Sequence, residues 1–298
     1  MRSVEEGFLL LSSHLGDPDR KVLSLSQLRT LSRRVRNGEW TGEDRDLTER
    51  DLIRLGYDRG TAGRIVGLLG DKEALNRYRM RAAVAGAIPV TRVSEGYPVI
   101  LRHRLGLDAP GCLWVKGDKA ILNTPAVALV GSRELREENR AFAQAVGYQA
   151  AEQGLTLVSG NARGADRAAQ EACLRAGGRV ISIVADELST KTERRNVLYV
   201  SEEDFDAPFT AQRALSRNRC IHALGRMVFV AQAQLHKGGT WDGTVKNLRF
   251  GWSNVACFRD GSEAAKELEQ MGAYLVGKED LEDLGALIGE PTGFLVRS

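Results

Sequence analysis

Residues 126–133 read Ala126-Val127-Ala128-Leu129-Val130-Gly131-Ser132-Arg133, an unbroken apolar run followed by a glycine, a hydroxyl and a cation. A strand with one wet face alternates apolar and polar residues. A strand without alternation is buried on both faces, which is the habit of a parallel sheet covered by helices. Helical spacing follows as far as Gln153. Then comes a second apolar run, Leu155–Val158, a glycine-containing turn and a further helix through Arg175. Strand, helix and strand at this spacing make a βαβ unit. Towards the C-terminus Arg179–Val184, Val197–Val200, Met227–Ala231, Asn254–Phe258 and Tyr274–Val276 continue the series. Towards the N-terminus Ile88–Thr91 and Leu113–Val115 are short extended runs, parted by Tyr97-Pro98 and Asp108-Ala109-Pro110-Gly111. The expected fold is α/β, a doubly wound Rossmann-like parallel sheet.

Before Gly86 the character differs. Apolar residues recur at helical spacing in Val4–Ser13, Leu23–Val35, Asp46–Leu55, Arg59–Leu69 and Lys72–Ala85, and β-branched runs are absent. A small helical domain over residues 1–86 is therefore expected to precede a Rossmann-like domain over 87–298. With 43% hydrophobic and 27% charged residues, the 298-residue chain has the composition of a soluble globular protein. A net charge of +3 permits a polyanionic partner without arguing for one. Cys112, Cys173, Cys220 and Cys257 are far apart and outside any metal-binding spacing, so no metal site and no disulfide framework is expected. No export signal and no apolar run of membrane-spanning length is read, so the expected location is cytoplasmic.

In a doubly wound sheet, ligands bind at the carboxyl ends of the strands. Three such ends carry glycine beside Ser or Thr, with a cation nearby: Gly131-Ser132-Arg133, Ser159-Gly160-Asn161-Ala162-Arg163, and Lys237-Gly238-Gly239-Thr240. Glycine admits a ligand close to the backbone, the amides at a helix start point outward, and arginine offers a planar fork that matches phosphate. Arg213, Arg217, Asn218 and Arg219 precede the Met227 strand. Arg213 and Arg217 stand four apart and are expected to share a helical face that tracks phosphates. The run Arg33, Arg34 and Arg36 is read as a solvated face. His103, His222 and His236 are read as surface or hydrogen-bonded side chains. Neither a Gly-x-Gly-x-x-Gly dinucleotide fingerprint nor a P-loop is present, and no catalytic constellation is found, so neither a cofactor nor enzymatic activity is expected.

Tyr97-Pro98 with Leu101, Asp108-Ala109-Pro110, Leu113-Trp114-Val115-Lys116-Gly117-Asp118, Val127–Arg133, Ser159–Asp166 and Arg217-Asn218-Arg219 follow one another in an order that resembles the DNA-processing protein A (DprA, or Smf) family. The likeness covers roughly residues 87 to 276. The helical segment, of a SAM or helix-hairpin-helix kind, is also of the family's type. The resemblance implies a homodimeric protein that binds single-stranded DNA and hands it to a RecA-type recombinase in natural transformation. It places Arg133 on a DNA phosphate, with Arg163 and Arg217 lining the same pocket. The surface around the strand Asn254–Phe258 and Trp252 is the candidate dimer contact. The chain departs from the family at Gln170, where a His is usual, at Glu134–Arg140, which lacks a Tyr-Gly, and at Ala185–Arg195, which replaces a Gly-rich loop. The alternative reading is a nucleotide sensor or a phosphoribohydrolase-like enzyme of the same superfamily. Gly238–Thr244 lacks the Pro and Glu of the hydrolase turn, which removes the acid/base group.

Overall fold

The computed structural model describes residues 3–38 and 46–289. Five helices come first: α1 (Ser3–Ser12), α2 (Leu25–Asn37), α3 (Glu49–Arg54), α4 (Arg59–Gly70) and α5 (Lys72–Val84). Their starts are written in side chains. Ser24 with Gln27 and Thr48 with Asp51 form capping boxes, and the Asp58 carboxylate accepts from the Thr61 amide at 2.8 Å.

The remaining elements alternate: β1 (Ala87–Thr91), α6 (Val99–Leu105), β2 (Cys112–Lys116), β3 (Ala126–Val130), α7 (Glu137–Glu152), β4 (Thr156–Ser159), α8 (Ala165–Arg175), β5 (Arg179–Ile183), β6 (Val197–Ser201), α9 (Ala211–Ser216), α10 (Asn218–Leu224), β7 (Met227–Val230), α11 (Gly238–Phe250), β8 (Asn254–Phe258), α12 (Glu263–Gln270), β9 (Tyr274–Val276) and α13 (Leu284–Ile288). The strands form one sheet in the order β1-β2-β6-β5-β4-β3-β7-β8-β9. From β3 the chain winds outward through β4, β5 and β6, then returns to β7 and winds the other way. The boundary between β3 and β7 is thus the topological switch point, where a crevice opens beyond the strand ends. The sheet is parallel except at one side, where β2 pairs antiparallel with both β6 and β1. Pro89 lies in β1, an edge strand, where a missing amide proton does least harm.

Each face of the sheet is covered. On one, Phe142, Val146 and Ala150 of α7 and Ala169 and Cys173 of α8 are fully buried. The α7–α8 crossing is close because a Cβ on Gly147 would run into the Ala169 backbone. On the other, α6, α10, α11 and α12 supply Leu101, Ile221, Trp241 and Leu268. The change of element type falls at residue 86, but the apolar core runs straight through it. Leu9, Leu10, Leu75 and Tyr78 of the helical segment belong to the same buried cluster as Trp114, Phe142 and Phe205. Tyr78 meets Trp114 edge-on at 5.4 Å between ring centroids, and its hydroxyl donates to Asp206 at 3.0 Å. A smaller core, with Leu28, Leu52 and Ile65, serves the helices alone. Among the described residues, no helix is long and apolar enough to cross a membrane.

Candidate nucleic-acid interface

β4, β3 and β7 are neighbours in the sheet, so the three glycine loops stand side by side at its carboxyl edge. The central loop is held on both sides. A Cβ on Gly131 would lie 2.5 Å from the Ala165 methyl carbon and 3.3 Å from that of Ala231, so only glycine fits between α8 and the end of β7. The Ser132 amide donates to the Gln232 carbonyl at 2.9 Å, and the Ser132 carbonyl accepts from the Ala165 amide at 3.2 Å. Gly164, at φ +83°, presses against the carbonyls of Ser132 and Arg133. The turn is thereby fixed, while Arg133 itself is exposed and makes no hydrogen bond or ion pair among the described residues.

The second loop is shaped from within. The buried Asp166 carboxylate accepts from the amides of Gly160 and Ala162, both at 3.1 Å, and Asn161 sits between them at φ +59°. Burial pushes the Asp166 carboxyl above its ordinary range, against the opposing pull of Arg217 and these amides. Arg217 is buried too, and its guanidinium donates to the carbonyls of Gly160 and Ile183. Burial lowers its pKa, with Asp166 the foremost group opposing that. A side chain on Gly160 would occupy the place of the Arg217 guanidinium, which is why this position is glycine. Ser159 is fully buried and accepts from Gln170 at 2.5 Å.

The third loop opens α11. Lys237 is its exposed N-cap residue, Gly238 takes φ +85°, and the Gly239 carbonyl accepts from Asn218 at 3.0 Å. The first-turn amides of Gly239 and Thr240 have no partner inside a helix, so they complement an anion.

The structure therefore sorts the expected ligands into two groups. Arg133, Arg163 and Lys237 are exposed cations without an ion pair among the described residues, and they stand beside the glycine turns. Arg213, Arg217 and Ser159 are a correction: all three are buried and bonded to protein. Arg213 and Arg217 do stand one helical turn apart, with the Arg217 amide donating to the Arg213 carbonyl at 3.0 Å, but the face they share is turned into the protein. Arg213 donates to the carbonyls of Ala207 (2.5 Å) and Pro208 (2.6 Å) and pairs with Glu203 at 2.7 Å. The physical reason is common to both. Loop carbonyls at strand ends lack sheet partners, and a buried guanidinium satisfies several at once. Arg219 is partly exposed and pairs with Glu202 at 3.0 Å.

His222 is a second correction: it is fully buried, and neither ring nitrogen has a hydrogen-bond partner among the described residues. Burial pushes its pKa down to about 3. The strand Asn254–Phe258 is interior to the sheet and buried from Val255 onward, and Trp252 is half-buried, so of the candidate dimer surface it is the surroundings of the strand that reach solvent. Asp166, Gln170 and Gln232, which shape the loops, were not among the expected site residues. In the sequence Asp166 is marked only as the end of the family-like Ser159–Asp166 run and Gln170 only as a departure from the family, and nothing marks Gln232.

A profile of the family described as DNA recombination-mediator protein A matches residues 89–284, a span that holds all three loops. The chain belongs to the DNA recombination-mediator protein A family. Among its relatives, DNA processing protein DprA of Streptococcus pneumoniae is 32% identical over 183 residues, 57% of this chain and 64% of that protein. Protein Smf of Escherichia coli is 33% identical over 156 residues, 49% of this chain and 41% of that protein. The chain thus spans less than two thirds of the length of these relatives. The crystal structure of S. pneumoniae DprA superposes with a TM-score of 0.65 at 24% identity, over 87% of this chain and 97% of that one. The Helicobacter pylori DprA structure, described for its single-stranded DNA binding mode, gives 0.55 at 24% identity, over 66% of this chain and 93% of that one. At this identity the two structures establish a shared fold.

Proposed function

We propose that the chain binds single-stranded DNA through its backbone phosphates at the three loops, as a non-catalytic recombination mediator. The observation that carries this reading is the row of exposed cations Arg133, Arg163 and Lys237, without an ion pair among the described residues, beside glycine turns at adjacent strand ends. Backbone amides and arginine forks grip phosphate oxygens without reading bases, so binding is tolerant of sequence. Membership of the mediator family supports the same ligand, as does the single-stranded DNA binding mode of the H. pylori protein. The test is a fluorescence-anisotropy titration with single-stranded DNA, duplex DNA and free nucleotides. Single-stranded DNA binds tightest, and its log K falls with log salt by about 0.7 per phosphate held. Tighter binding of a mononucleotide, or turnover of ATP or a nucleoside monophosphate, overturns the reading.

Delivery of the bound strand to a RecA-type recombinase, in recombination or natural transformation, belongs to the same proposal. It is checked by whether preloading DNA with the chain speeds recombinase filament assembly. Homodimerisation is part of it as well. Phe250 and Tyr274, exposed near the starts of β8 and β9, are the apolar part of the surface around β8 that is the candidate contact. Light scattering that reports a monomer at micromolar concentration removes this element.

A further inference from the structure

A second set of arginines stands at the same edge of the sheet. β1 runs antiparallel to β2, and β2 antiparallel to β6, so β1 points the same way as the parallel strands. Arg92, just after Thr91, therefore emerges at the carboxyl edge, where the glycine loops also stand. Its guanidinium is held by the carbonyls of Gly106 (2.8 Å) and Ala109 (3.2 Å), which fix its place without cancelling its charge. The start of α2 lies at this edge too: a Cβ on Gly111, which precedes β2, would touch the Leu25 side chain at 3.4 Å. Arg29, Arg33 and Arg36 are all exposed, and at i, i+4 and i+7 they line one side of α2. The opposite side is apolar, with Leu28 and Leu31 buried, and no residue of α2 is acidic. Arg29 and the exposed Arg102 of α6 come close enough to Arg92 to repel it, on top of the effect of its burial.

Arg29, Arg33, Arg36, Arg92 and Arg102 make no ion pair among the described residues. Of the carboxylates in the loops after β5 and β6, Glu202 is paired with Arg219, Glu203 with Arg213, Asp186 with Lys191 and Asp206 with Arg81, while Asp204 and Glu187 accept from the hydroxyls of Ser13 and Ser189. From β1 to β3 is five interstrand steps, about 24 Å at ~4.8 Å each.

We propose that the arginine stripe of α2, with Arg92 and Arg102, is a second anchoring point for the phosphate backbone of the strand held at the glycine loops. The helical segment is then part of the nucleic-acid surface. Two anchors on one strand raise affinity through effective concentration, and only for a strand long enough to reach both. This inference rests on the proposed single-stranded DNA site, and strand length separates the two.

The experiment compares oligothymidines of about 5 and about 16 nucleotides on wild type, Arg133→Ala, and the triple variant Arg29→Gln, Arg33→Gln, Arg102→Gln. The triple variant binds the short strand like wild type and the long strand roughly tenfold or more weakly, with a salt slope lower by about 2, three phosphates' worth. The corresponding triple Lys variant keeps long-strand affinity, because charge and not fold is at issue. Arg133→Ala weakens both lengths. If Arg133→Ala acts but the triple Gln variant leaves the long strand untouched, or weakens both lengths alike, the stripe is not an anchor. A triple variant that loses duplex binding alone also overturns it. If Arg133→Ala changes neither length, the loop site itself fails.

Discussion

Arg217 spends its guanidinium on the carbonyls of Gly160 and Ile183, while Arg133, one loop away, stands in solvent without a partner among the described residues. Their substitutions separate accordingly. Arg133→Ala loses a charge-assisted phosphate contact of ~1.5–3 kcal/mol, a tenfold to hundredfold fall in single-strand affinity. Its salt slope drops by about 0.7, and thermal stability is unchanged. Arg77→Ala, which removes an exposed i,i+4 pair with Glu73, leaves binding at the wild-type level. Arg217→Ala instead lowers stability in urea unfolding, by ~1–3 kcal/mol for each of the two buried carbonyls that lose their donor. His222 adds a pH dependence. Its pKa is depressed from 6.5 to about 3 in the folded chain, so the unfolded chain takes up the proton first as pH falls. Its contribution is complete above pH 6.5 and declines towards pH 3 at about 1.4 kcal/mol per unit. His222→Leu, which removes a ring without hydrogen-bond partners, flattens that acid limb. An unchanged pH profile of the variant's urea midpoint would count against burial as the cause.

At the scale of elements, the loops are placed by contacts between strand ends and helix starts. Gly164 begins α8 at a positive φ and lies against the backbone of the Ser132–Arg133 turn. Gly177, which follows α8, also has a positive φ but has open space around its would-be Cβ. Gly177→Ala therefore carries only the left-handed backbone cost, ~1–2 kcal/mol, and leaves DNA affinity as it was. Gly164→Ala carries that cost plus a collision with two carbonyls, which displaces the turn bearing Arg133. It loses both stability and affinity. Calorimetry and anisotropy on the two variants check this. Equal DNA affinity in both would show that the turn's position does not matter.

For the molecule as a whole, the shared core joins the helical segment to the sheet. Tyr78 lies between Trp114 and Phe205, and Asp206 receives both the Tyr78 hydroxyl and the Arg81 guanidinium, the latter at 2.5 Å. Stripping the helices away would bare Trp114 and Phe205, large apolar groups that need cover. The expected outcome is one cooperative urea transition, with far-UV dichroism and tryptophan fluorescence coinciding. Two separated transitions would mean that residues before 87 fold as an independent unit. Tyr78→Ala lowers the unfolding free energy of the common transition by ~3–5 kcal/mol, the usual range for an aromatic deleted from a core.

Much of this was legible along the chain because it depends on near neighbours in sequence. The runs Ala126–Val130 and Met227–Ala231 could only be strands buried on both faces. The Gly-Ser-Arg turn and the Lys-Gly-Gly-Thr turn could be read as candidate anion loops from composition and position, and their side-by-side placement follows from the winding of a βαβ sheet. What composition and spacing do not encode is which arginine finds a buried carbonyl. Arg213 and Arg217 look as free as Arg133 in sequence. Their fate rests on carbonyls of Ala207, Pro208, Gly160 and Ile183, some of them dozens of residues away. The same holds for the continuous core at residue 86 and for His222, whose burial comes from α10 packing under α11. Arg29, Arg92 and Arg102 come together only because β1 turns back to the carboxyl edge. Local period and turn chemistry are properties of a segment. Burial, charge pairing and the meeting of distant cations are properties of the fold.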